Sequence, residues 1–138
     1  MAATLYPTAK QHFMLGEIDL EDDTIKAVIV STSYSYSAAH DAYDDVSAQA
    51  ICTPVTLGTK SVTVVGTAAV FDAADVTPTD VDGAIGAIII YKDTGTPSTS
   101  WLIAHLDNMA ELPASISGGS CPITWDSGAN KIFALTDA

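Results

Sequence analysis

The chain has 138 residues, 48% hydrophobic and only 16% charged, with seventeen acidic side chains against five lysines and no arginine, a formal net charge of −12 at pH 7. A binder of DNA, RNA or an anionic membrane surface needs clustered Lys and Arg to displace counterions, and no such cluster exists here, so those partners are excluded. A chain of this length buries about two thirds of the surface its unfolded form exposes, enough for one domain over residues 1–138 without a disulfide or a structural metal.

Ordinary soluble domains carry about a quarter charged residues. Here polarity comes instead from 28 Ser and Thr, and so many small and β-branched residues favour strands and turns over helices. The charge-poor surface suggests that part of it is covered by neighbours, and the acidity steers the chain toward a basic partner. No basic segment followed by an apolar stretch opens the chain and no apolar run approaches about 18 residues, so neither a signal peptide nor a membrane span is expected. Cys52 and Cys121 lie 69 positions apart with no CxxC. They read as two buried thiols acting as small apolar side chains, with a disulfide as the alternative.

Tyr6 to Leu15 is the one good helix candidate. Pro7 suits a first helical position and Gly16 can close the C-terminus in a left-handed turn. Tyr6, Ala9, Phe13 and Leu5 fall on one stripe, and His12 lies off it, as a solvated histidine would. Asp19, Glu21, Asp22 and Asp23 follow, without the glycine and distal glutamate of a calcium loop, so the set reads as a charged turn that guards the next strand, Thr24 to Val30. Ser31 to Ala39 alternates Ser with Tyr. Ala38 to Val46 is a polar loop or short helix whose His40, Asp41, Asp44 and Asp45 invite a metal or acid–base reading, but no second histidine or cysteine ligand accompanies them.

From Ala48 onward the pattern is that of strands. Ala50 to Leu57, broken by Pro54, reads as an edge strand. Lys60 to Val64 alternates cleanly, Gly66 turns the chain, and Thr67 to Ala73 returns. Val76 to Thr79 reads as a short edge strand. Ile85 to Leu106 is the long central hairpin: Ile88, Ile89 and Ile90 are consecutive, which places β-branched side chains on both faces of a sheet covered on both sides. Lys92 to Pro97 supplies its connection. Asp107 to Pro122 reads as irregular, and Ile123–Trp125 with Lys131–Leu135 as a closing hairpin around Asp126 to Asn130. The class expected is all-β, a sandwich or distorted barrel of about seven to nine strands with one short N-terminal helix.

No GxSxG elbow, P-loop or dinucleotide fingerprint is present, and Gly118-Gly119-Ser120-Cys121 lacks the context of any of them. Asp72 and Asp75 with Asp107 offer a paired-carboxylate site, against which stands the ordinary use of turn aspartates to bond their own backbone. His105, in an apolar strand, reads as a half-buried core or interface histidine. Trp101 and Trp125 read as plugs at the ends of a β core, with a carbohydrate-stacking platform as the alternative. The residues thus point to no catalytic group, metal or cofactor.

Four segments carry a resemblance: AATLYPTAKQHFMLGEIDLEDDTIKAVIV (2–30), VFDAADVTPTDV (70–81), IIIYKDTGTPSTSWLIAHLD (88–107) and ITWDSGANKIFAL (123–135). They resemble a group of small tailed-bacteriophage proteins with a "Y..AK..F..G.I" helix, a "DTIK" strand start, "FDAADVT", "YKDTGT..TS.LIA..D" and a closing "W..GANKIF.L". The resemblance covers most of the chain and departs from the pattern at Ser33 to Ala50 and Ser117 to Pro122. It implies a virion structural protein made in the host cytoplasm, a decoration or cement protein on the outside of the major capsid lattice, with a tail or head–tail connector component and a carbohydrate-binding adsorption module as alternatives. The partners implied are the major capsid protein and other copies of the chain in a dimer or trimer. Aromatic side chains anchor such contacts, so Leu5, Tyr6, Phe13, Tyr34 and Tyr36 are the expected interface, the alternative for Tyr6 and Phe13 being to seal the core.

Overall fold

The computed structural model describes residues 2–107, 112–128 and 131–136. Through its middle runs the strand carrying the three consecutive isoleucines. In chain order the described strands and α-helix are β1 (Ala2–Leu5), α1 (Pro7–Met14), β2 (Ile25–Ser31), β3 (Val55–Thr56), β4 (Ser61–Val65), β5 (Ala68–Asp72), β6 (Val81–Lys92), β7 (Leu102–Asp107), β8 (Ser115–Gly119) and β9 (Phe133–Leu135), with 3-10 turns at Tyr43–Asp45, Ser47–Gln49 and Pro97–Thr99. All pairings are antiparallel. One sheet has the order β1-β7-β6-β2-β3, with β8 paired to β6, and a second has the order β4-β5-β9. The fold is an all-β sandwich with one short helix, as composition and strand spacing predict.

β6 is twelve residues long because it serves two neighbourhoods. Its first part, Val81 to Ala84, pairs with β8, and its second lies between β2 and β7. Alternation sends Ile88 and Ile90 to one face, where they meet Ile25, Ile29, Phe71 and Phe133 between the two sheets. Ile89 and Ala87 face the other way, against Val28, Val30, Tyr6 and Ala9 beneath α1. A strand enclosed on both faces has no solvent side to make polar, so the run of isoleucines is the local signature of its position.

The register of β2 and β6 slips once, between Val30↔Ala87 and Ser31↔Ile85, leaving Gly86 as the extra residue of a bulge. A Cβ at Gly86 would lie 2.7 Å from the Ser31 carbonyl carbon and 2.9 Å from the Thr32 Cα, all backbone. Glycine is required here for close approach. α1 forms where Pro7 takes the first helical position, and it ends at Gly16, φ +72°.

Three expectations are corrected, and one strand has no sequence signal: Ala2–Leu5 pairs with β7, although its Ala-Ala-Thr-Leu run carries no two-residue period. Val76 to Thr79 is no strand but a single bridge from Val76 to Ile123. The expected irregular stretch from Asp107 to Pro122 includes β8, held by the first part of β6; Asn108 to Glu111 lie outside the described residues. The tail does not close on itself, because Phe133–Leu135 pairs with β5 while Ile123 bridges Val76; Ala129 and Asn130 of the expected turn lie outside the described residues.

Gly86→Ala should therefore destabilise the fold by about 2 kcal/mol or more, the range for forcing extra volume into closed packing. Urea denaturation of the variant checks this, and an unchanged midpoint would show that the bulge yields freely.

Candidate functional site

The Ser/Tyr segment after β2 folds back over the sheet and gathers an aromatic cluster. The Tyr6 and Tyr34 hydroxyls share a hydrogen bond of 2.8 Å, and the Tyr34 hydroxyl lies 2.8 Å from His40 Nδ1. The Tyr6 and Tyr36 rings lie 5.0 Å apart, and His105 sits against Tyr36 and Tyr34 at 5.5 and 5.9 Å. Burial, then the bond to Tyr34, pushes the Tyr6 phenol far up, and burial also raises Tyr34. Both phenols are neutral donors at any ordinary pH. Burial pushes His105 below its ordinary value of 6.5, against an opposing pull from Asp107.

The five expected interface residues thus separate. Tyr6 is 0% exposed and part of the core, so it offers no surface to a partner, and the core-sealing alternative holds for it. Tyr34 and Tyr36 are half-buried against the same cluster, with the Tyr36 hydroxyl 3.5 Å from the Leu5 carbonyl. Phe13 packs against both apolar clusters, its ring 6.4 Å from Phe133, and also lines a surface groove. The structure brings Leu5, Tyr6, Tyr34 and Tyr36 together, while Phe13 packs on the same cluster and on the core between the sheets.

His12 is not solvated, contrary to the expectation from its place off the stripe. Its ring stacks on Trp101 at 4.4 Å and its Nδ1 lies 2.8 Å from Glu17 Oε1. Trp125 is buried, its indole N–H donating to the Ala74 carbonyl, so it presents no ring face to a sugar. Cys52 and Cys121 are free thiols.

The acidic sets are occupied by the backbone. Asp41, Asp44 and Asp45 can bring one ligand oxygen each within 4.8 Å, but Asp45 accepts the Asp41 N–H at 2.8 Å and the Ala42 N–H at 3.4 Å. Desolvation works to raise Asp45, and these N–H groups prevail and hold it low. His40 turns its Nδ1 to Tyr34 instead. Asp19 accepts the Glu21 and Asp22 N–H groups, while Asp23 accepts the Asp19 N–H and pairs with Lys92 at 3.1 Å. Asp75 accepts the Trp125 N–H at 3.0 Å, the ordinary use of a turn aspartate, and Asp72 and Asp107 lie on different sheets.

A feature missed by the sequence reading lies at the other end of α1. Met14, Leu15, Val62, Val64 and Val65 are the large apolar side chains exposed among the described residues. Val62 also lines a groove of about 360 Å³ with Phe13, Ile18 and Leu20, and the exposed Asp19 and Glu21 stand at its rim. Alternation in Ser61–Val65 shows which residues share a face; whether that face is covered depends on how far the hairpin overhangs the core. No protein-family model, curated protein or solved structure matches the chain.

Tyr34→Phe removes a partner of an enclosed hydroxyl and should cost about 1–3 kcal/mol. Adding Tyr6→Phe should recover part of that loss, since two apolar rings leave nothing unsatisfied; a double variant as unstable as the sum of the singles would contradict the shared bond. For His105 the folded value is depressed, so the unfolded chain binds the proton first as pH falls. Stability is then full above about 6.5 and declines as pH drops from there through the lowered folded value. Denaturant midpoints should decline less in His105→Gln over that window, and parallel declines would place the acid sensitivity elsewhere.

Proposed function

We propose that the protein is a structural component of a tailed-phage virion, a decoration or cement protein that binds the outside of the major capsid lattice as a homo-oligomer, with no enzymatic activity and no cofactor. The observation that carries this reading is the set of exposed large apolar side chains, Met14, Leu15, Val62, Val64 and Val65, on a body of net charge −12. Exposed apolar surface beside a groove marks a surface that is covered when the protein works, and the acidity favours a basic partner over nucleic acid or lipid. The resemblance supports it in a second way. Its motifs fall on framework positions: "FDAADVT" on β5 and the turn after it, "YKDTGT" on the end of β6 and its turn, "LIA..D" on β7. A chain whose shared residues build strands and turns does its work through shape and burial. In a shell each copy contributes about 800 Å² per interface, and repetition of identical contacts adds avidity.

Counting copies in purified particles tests the proposal. Cement is present in hundreds of copies, following the symmetry of the shell, and a connector or tail-ring component in about a dozen. A count near a dozen would assign the protein to the connector, and absence from particles would overturn the virion reading.

A further inference from the structure

We propose that the outer edge of β4 and the adjoining groove form a docking site for an extended segment of a partner protein whose side chains alternate apolar and basic. The proposal rests on the covered-surface reading above and names the chemistry of what covers it.

β4 is an edge strand, paired only with β5. Gly66 and Thr67 form the two-residue loop between them, with Gly66 at φ +63°, the sign the first position of a type II′ turn requires. In such a hairpin Val65 and Ala68 form the hydrogen-bonded pair next to the turn, so Ser61, Thr63 and Val65 direct their N–H and C=O groups to β5. Val62 and Val64 direct theirs outward. The Val62 N–H shows this, because it donates to Glu21 Oε2 at 2.9 Å. A carboxylate oxygen thus stands where the carbonyl of a neighbouring strand would stand.

Next to that contact lies the groove, walled by Phe13, Ile18, Leu20 and Val62. Val64, 78% exposed, and Val62 share one face, since their partners Ala69 and Phe71 are two residues apart on β5. A strand added along β4 bonds to the outward groups of Val64, lays one apolar side chain against Val64 and drops another into the groove. Charge selects its other side chains. Asp19 and Glu21 at the rim take part in none of the described salt bridges, which join Lys26 to Asp93, Lys92 to Asp23 and His12 to Glu17. The incoming carbonyl takes the Val62 N–H from Glu21, and the released carboxylate meets a Lys or Arg of the added strand. A second copy of this chain is the wrong occupant, because it brings its own Asp19 and Glu21 to the same rim.

The test uses the full chain and two short synthetic peptides, one alternating Val with Lys and one alternating Val with Glu. By amide NMR the Lys peptide should shift Val62 to Val65 and the residues lining the groove, and the Glu peptide should not. Val64→Pro removes the outward N–H without touching the β4–β5 ladder, and should weaken Lys-peptide binding about tenfold. Glu21→Gln keeps a hydrogen-bond acceptor but lacks the charge, and should weaken binding and flatten its salt dependence. Shifts elsewhere on the surface, equal binding of the two peptides, or a Val64→Pro variant that binds like the parent would each overturn the proposal, as would a dimer of the chain alone formed through β4. Copy counts in particles report on the virion role separately: a groove that fails in a protein abundant on shells sinks this inference alone.

Discussion

Enclosure of β6 on both faces is the constraint from which the rest of the structure follows. Its Ile88, Ile89 and Ile90 are all 0% exposed, and burying each contributes about 1.5–3 kcal/mol relative to exposure. That gain requires a layer on each side and a strand on each edge. β4-β5-β9 supplies one layer, and α1 with the Tyr-rich segment supplies the other. β2 and β7, the flanking strands, are correspondingly apolar through their middles. At one end of this sheet the scarce lysines are concentrated: Lys26 pairs with Asp93 at 2.8 Å, Lys92 reaches Asp23 and the Glu17 carbonyl, and Lys60 donates to the Asp23 carbonyl. Lys60 and Lys92 thus fasten the acidic turn before β2, which gives that turn a structural role.

Much of this arrangement is legible in the sequence, where the signal is local. Pro7 and Gly16 bracket α1, the isoleucine triplet announces a doubly covered strand, and the Gly66 turn joins two alternating runs. What escapes is pairing that residues accept from elsewhere. Ser115–Gly119 contains two glycines and two serines and has no strand pattern of its own; it is extended because the first part of β6 offers an edge. Phe133–Leu135 pairs with β5 and not with Ile123 because the two-aromatic contact of Phe71 and Phe133, 5.4 Å apart, fills the core between the sheets.

The candidate site is legible only in part, for a related reason. Aromatic side chains in a charge-poor chain are equally suited to a core and to a contact, and their spacing does not distinguish the two. Tyr6 and Tyr34 are drawn inward because their hydroxyls satisfy each other and His40, an option visible only once the chain after β2 has folded back. The valines of β4 follow the opposite course: their alternation with Ser and Thr looks like that of any half-buried strand, yet the hairpin extends past the body it would need for cover.

Charge then decides what such an edge can meet. Among the described edge strands β3 has two residues, β9 three and β1 four, while β8 has five and carries two glycines and two serines. β4 has five, with three exposed valines, the kind of edge that pairs indiscriminately unless something prevents it. In water two carboxylates about 4 Å apart repel by about 1 kcal/mol, and a carboxylate with a lysine at that distance attracts by the same amount. Exchanging an acidic neighbour for a basic one therefore moves the balance by about 2 kcal/mol per contact, roughly thirtyfold in affinity. With Asp19 and Glu21 both at the rim, the apolar surface supplies attraction for any strand and the carboxylates determine its sign. The placement of two acids that join no described salt bridge beside an edge with three exposed valines thus limits pairing between copies and favours a basic segment of another chain.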